Sequence, residues 1–153
     1  MTAGKAMSPI ALTDSLADPQ IQAFASGFPV LLMHAGASLL LLLLGVVVYS
    51  LLSPWKEILQ IRDGNAAACV SFSGVLVGLA APLAVSLAVS TSTAEILLWG
   101  AIATVMQLLA IRVVDLLLTG LPQRVKEGDT PAAVLLAAGR LAVALILAAA
   151  LTG

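Results

Sequence analysis

Read along its length, the chain alternates long apolar blocks with short polar breaks. Four blocks reach bilayer length, at residues 28–52, 66–89, 96–119 and 131–151. A spanning helix needs about 20 predominantly apolar residues, and a helix satisfies its own backbone where lipid cannot. Only the third block carries an opposed pair of charges, Arg112 and Asp115. The pattern predicts an all-α integral membrane protein with four transmembrane helices.

Two of the breaks resemble each other. Arg62-Asp63-Gly64-Asn65 recurs as Lys126-Glu127-Gly128-Asp129 at an offset of 64 residues, followed by small residues in both places. Each motif sits between two apolar blocks, so each copy reads as helix, loop, helix. A unit with two spans inserts the same way up each time it occurs, which predicts two parallel-repeat helical hairpins related by an axis along the membrane normal. Residues 1–23 form a polar N-terminal tail, 24–89 the first two-helix repeat and 90–153 the second. Gly64 and Gly128 suit the left-handed turn that ends a helix. Asn65 and Asp129 are good N-caps, and Pro131 fits the first helical position. A second reading makes these loops an anion or lipid-headgroup site, with Asp63 and Glu127 opposing it. In the first loop, Ser53-Pro54 predicts a short interfacial helix. It would set Trp55, Ile58 and Leu59 on one face, and Lys56, Glu57 and Gln60 on the other.

Composition strengthens the membrane reading. Of 153 residues, 61% are hydrophobic and 10% charged, with mean hydropathy +1.11, against roughly a quarter charged in soluble domains. A net charge of −1 gives no support to nucleic-acid binding. The tail lacks a basic cluster followed by an apolar core, so the first span is expected to serve as its own targeting signal. The single cysteine, Cys69, excludes an internal disulfide and reads as a buried, inert thiol. Lys56, Arg62, Arg112, Arg124 and Lys126 fall on one side and Lys5 on the other. The positive side is cytoplasmic, which predicts a multi-pass protein of the bacterial inner membrane with both termini periplasmic and both motif loops inside.

Polar residues within the spans are the candidate site. Ser71, Gly74 and Gly78 form a small face in the second span, suited to close helix packing within or between subunits. Arg140 lies nine residues beyond Pro131, about 13 Å into the bilayer at 1.5 Å per residue. An arginine at such depth costs about 2.5–3.5 kcal/mol on insertion scales. Side chains lean toward the helix N-terminus, which brings Arg140 and Asp115 toward each other, with Arg112 able to compete for Asp115. Either Arg140 pairs with Asp115 or it snorkels to headgroups. Gln107 is expected to bond across helices, and His34 to be a hydrogen-bonded packing residue. No metal-ligand cluster, nucleophile–base set or nucleotide-binding loop is present, so the sequence reads as non-enzymatic and implies no cofactor.

Taken together, Ile61 to Ala67, Phe72 to Gly78, Pro82-Leu83, Trp99 to Ile102, Gln107 to Leu109 and Asp129 to Ala133 resemble the YjfL-type bacterial inner-membrane family. That family is domain of unknown function 350, often found as a tandem pair. Asp129 stands where its second motif has asparagine, and Arg140 where it has a small or apolar residue. The resemblance implies a four-span inner-membrane protein of unassigned activity, set in envelope-stress and polyamine-related gene neighbourhoods. The leading expectation is a homo-oligomeric scaffold or anchor in the lipid bilayer, holding a cytoplasmic or membrane protein partner or lipid headgroups. The alternative is a channel or transporter for an ion or small polar solute, built by an oligomer. A dry, paired polar cluster favours the first, and a water-lined path through Arg112, Asp115, Gln107 or His34 the second.

Overall fold

In a computed structural model of the chain, residues 19–54 and 56–153 are described. They form six helices: α1 (Pro19–Leu52), α2 (Glu57–Arg62), α3 (Ala66–Val89), α4 (Thr93–Leu117), α5 (Leu121–Lys126) and α6 (Thr130–Ala150). α1, α3, α4 and α6 are each long and apolar enough to cross a membrane. The predicted tail through residue 18 and the predicted interfacial placement of Trp55 lie outside the described residues.

α1 begins at Pro19, well before the block that predicted it. Proline is well suited to a first helical position, and Ser26 bonds back to the carbonyls of Gln22 and Ala23. The helix passes through Pro29, as apolar membrane helices can. Its buried positions are Leu41, Gly45 and Tyr49, a single stripe at four-residue spacing. A Cβ on Gly45 would lie 2.9 Å from Thr104 Cγ2, and one on Gly100 would lie 2.7 Å from Leu41 Cδ1. Hydrogen at these two positions lets α1 and α4 approach closely.

The closest crossing is between α3 and α6. A Cβ on Gly74 would fall 2.7 Å from the Ala137 Cα, while one on Gly78 would meet Gln107 Nε2 at 3.2 Å. The small face formed by Ser71, Gly74 and Gly78 is therefore spent within the subunit, against the small side of α6. One core cluster gathers Ala67, Val114, Val125, Ala132, Ala133 and Leu136, and another Tyr49, Val75, Leu79 and Ile111.

The 64-residue offset reappears in the backbone. α2 and α5 are both six residues long, and each starts after a left-handed residue, Lys56 (φ 49°) and Gly120 (φ 89°). Both end at a left-handed glycine, Gly64 (φ 88°) and Gly128 (φ 90°). The Asn65 N–H bonds to the Gln60 carbonyl as the Asp129 N–H bonds to that of Arg124. Asn65 and Asp129 then cap the next helix by accepting from the Ala68 and Ala132 amides.

Two expectations are corrected. Glu57 does not face outward from the first short helix: it is buried, while Ile58 and Leu59 are exposed. Polar-outward reasoning fails because Glu57 finds hydroxyl and guanidinium partners inside the bundle, and apolar side chains at a membrane surface meet lipid. Cys69 is exposed on the outer face of α3 rather than buried.

Candidate functional site

Arg140 sits fully buried where α3, α4 and α6 meet α2 and the end of α1. α6 carries it inward on a buried face otherwise made largely of alanines, at 132, 133, 137, 144 and 148. Its Nη2 and Nε donate to Asp115 Oδ1 at 2.9 and 3.2 Å. Its Nη1 donates to the Ser71 carbonyl at 3.1 Å and to Ser71 Oγ at 3.0 Å. Nη2 is also 3.6 Å from Glu57 Oε1. Every face of the guanidinium thus meets an acceptor, which is what a buried cation requires.

Glu57 is the second anchor. Its Oε2 accepts from the Tyr49 hydroxyl at 2.6 Å and its Oε1 from Ser71 Oγ at 2.9 Å. The Tyr49 ring faces two guanidiniums, with Arg140 Cζ 5.7 Å and Arg112 Cζ 6.0 Å from its centroid, within range of a cation–π contact. The network ties α1, α2, α3, α4 and α6 together through five side chains. Two carboxylates thus face the Arg140 guanidinium, with Arg112 on the Tyr49 ring beside them.

Of the residues singled out from the sequence, Arg140, Asp115 and Ser71 are brought into direct contact. Gln107 is one step removed: its Nε2 donates to the Arg140 carbonyl at 3.3 Å. Arg112 takes Tyr49 rather than Asp115. His34 is half-buried on α1. The charged motif residues Arg62, Asp63, Lys126 and Glu127 are exposed and lie apart from the cluster. The two motif loops nevertheless meet, because Asn65 Nδ2 donates to the Val125 and Lys126 carbonyls, both at 3.1 Å. Arg124 Nε donates to Asp129 Oδ2 at 2.8 Å. The Ala68 and Ala132 amides and the Arg124 guanidinium are therefore engaged by the protein itself.

Tyr49 and Glu57 are the cluster members that sequence reasoning passed over. A signal for Tyr49 existed: the chain's single tyrosine continues the Leu41–Gly45 stripe. Glu57 carried none, since its partners lie on other helices.

Residues 23–151 match the Domain of Unknown Function family DUF350. The chain belongs to this family. The inner membrane protein YjfL of Escherichia coli strain K12 is 32% identical over 105 residues, which cover 69% of this chain and 80% of YjfL. The YjfL of Escherichia coli O157:H7 matches with the same figures. No solved structure matches the chain. With four bilayer-length helices and an inner membrane relative, this DUF350 protein is a membrane protein of a family without assigned activity.

Proposed function

We propose that the protein is a non-enzymatic scaffold or anchor of the bacterial inner membrane, acting as a homo-oligomer in envelope-stress biology. In this reading two hairpins insert alike. Their motif loops present a joined surface to a protein partner on the cytoplasmic side, and both termini are periplasmic. The observation that carries the reading is the zero exposure of Arg140 together with its full set of acceptors. A guanidinium held dry and paired on every side braces a fold; it does not line a water-filled path. The matched torsions at Gly64 and Gly128, and the Asn65 bonds to the second loop, support hairpins that point the same way.

Flux into proteoliposomes tests the reading. The full chain, reconstituted and shown by crosslinking to be oligomeric, is expected to pass ions and small solutes no faster than empty vesicles. The second reading, a channel or transporter built by an oligomer, is favoured by two buried acceptors, Gln107 Oε1 and Asp115 Oδ2, that lack hydrogen-bond partners among the described residues. Flux in the wild type that Gln107→Leu abolishes in an intact oligomer would replace the scaffold reading with this one.

A further inference from the structure

We propose that the cavity beside the polar cluster, at the end of α1 and under α2, binds the phosphoethanolamine head of a membrane phospholipid. The cavity measures about 210 Å³, far more than one water needs. Its polar lining includes Ser53, Lys56 and Glu57, and its apolar wall Ile58, Leu59 and Phe72.

Three observations point to a ligand with both charges. Ser53 is 93% buried, at 7% relative exposure, and its Oγ has no hydrogen-bond partner among the described residues. An orphaned buried hydroxyl is costly, and a ligand oxygen would satisfy it. Lys56 holds a left-handed backbone (φ 49°) that its counterpart after α4 meets with glycine, Gly120 (φ 89°). Glycine would be the less strained choice at both places, so a long cation kept there in the first loop calls for a reason on its side chain. Glu57 uses one lone pair on each oxygen for Tyr49 and Ser71. A carboxylate offers about four such sites, and Arg140 Nη2 lies nearer Oε1, at 3.6 Å, so Oε2 is the oxygen with capacity left. An ammonium toward Glu57 and a phosphate toward Lys56 and the Ser53 hydroxyl would complete both ends.

Lipid, rather than a soluble molecule, fits the remaining wall. Ile58 and Leu59 are exposed beside the cavity, at the end of the spans where headgroups lie, and they offer an acyl chain an apolar exit. Phosphatidylglycerol lacks the ammonium, and phosphatidylcholine lacks N–H donors for Glu57. The assignment is independent of whether the protein is a scaffold or a transporter, so either can fail alone.

The test is native mass spectrometry of the full chain purified in mild detergent and exposed to phosphatidylethanolamine, phosphatidylglycerol and phosphatidylcholine in equal amounts. Phosphatidylethanolamine is expected to be retained about tenfold over the others, the effect of one charge-assisted hydrogen bond. Lys56→Gln and Ser53→Ala should each lower the retention of all three lipids, whose phosphate they share, without destabilising the fold. Ser53→Ala carries the test if Lys56→Gln does not fold. Equal retention of the three lipids, or unchanged retention in the folded variants, would overturn the proposal. Free phosphoethanolamine should bind far more weakly than the lipid, and equal binding would overturn the lipid assignment in favour of a soluble ligand.

Discussion

The side-chain amide of Asn65 lies 3.1 Å from the carbonyl oxygen of Lys126, and its own oxygen caps α3 through the Ala68 amide at 3.1 Å. One residue thus starts a helix in the first half of the chain and closes the last turn of a helix in the second. Asn65→Asp keeps the cap but replaces an amide donor with acceptor oxygens facing two carbonyls. We expect a loss of about 0.5–1.5 kcal/mol, the net worth of a hydrogen bond whose acceptor water can still reach. Asn65→Ala also loses the cap, adding about 1 kcal/mol. Denaturant titration of the purified protein, followed by circular dichroism, reads both.

Removing the buried cation should be far more damaging. Arg140→Leu leaves Glu57 and Asp115 buried without their guanidinium, and breaking a buried pair from one side costs about 3–5 kcal/mol. The triple change Arg140→Leu, Glu57→Gln, Asp115→Asn removes the charges together and should recover most of that loss. If the single and triple variants unfold alike, the network is not what holds α2 and α4 to α6. Arg140→Lys should recover little, because three donors on a point charge cannot reach Asp115, Ser71 and Glu57 in the planar arrangement of a guanidinium.

The four spans were legible because hydropathy is a property of each residue alone, although the start of α1 at Pro19 was not. The loop torsions were legible too, because a glycine followed by Asn or Asp carries its own conformational signal. Burial of Glu57 was not, since its partners Tyr49, Ser71 and Arg140 come from three other helices, and only tertiary structure makes a carboxylate cheaper inside than out. The same holds for Cys69: an apolar neighbourhood in sequence does not say which side of a helix faces lipid. Arg140 and Asp115 fall between these cases. Depth and side-chain lean suggested the meeting, but the Glu57 contact that completes it gave no sign in the sequence.

Helix crossing gives a steric prediction. Gly74→Ala would place a methyl 2.7 Å from the Ala137 Cα, a backbone atom that can yield only if α3 and α6 separate. Overpacking of this kind costs about 1–3 kcal/mol. Gly78→Ala meets the Gln107 side-chain nitrogen at 3.2 Å, and that group can swing away. A smaller loss is expected there, with the order of the two unfolding midpoints as the readout. Equal midpoints would show that the α3–α6 contact is looser than the Gly74 geometry requires.

Asp129 makes the fold sensitive to acid at one identifiable place. Its carboxyl is held below the usual aspartate range, first by the hydrogen bond from the Ala132 amide and then by Arg124. A carboxyl whose folded value is depressed stabilises the fold above its unfolded value, near pH 3.9. That contribution is lost as pH falls through the lower, folded value. Asp129→Asn keeps a capping oxygen and removes both the titration and the ion pair with Arg124. The variant should therefore lose less stability than the wild type between neutral pH and about pH 3, where aspartates protonate. The side chain is solvent-accessible, so salt should weaken the Arg124 part of the effect and leave the backbone cap. Parallel melts of the two proteins across that range, at low and high salt, measure the difference directly; coincident pH profiles would mean that the Asp129 carboxylate contributes nothing its amide counterpart cannot.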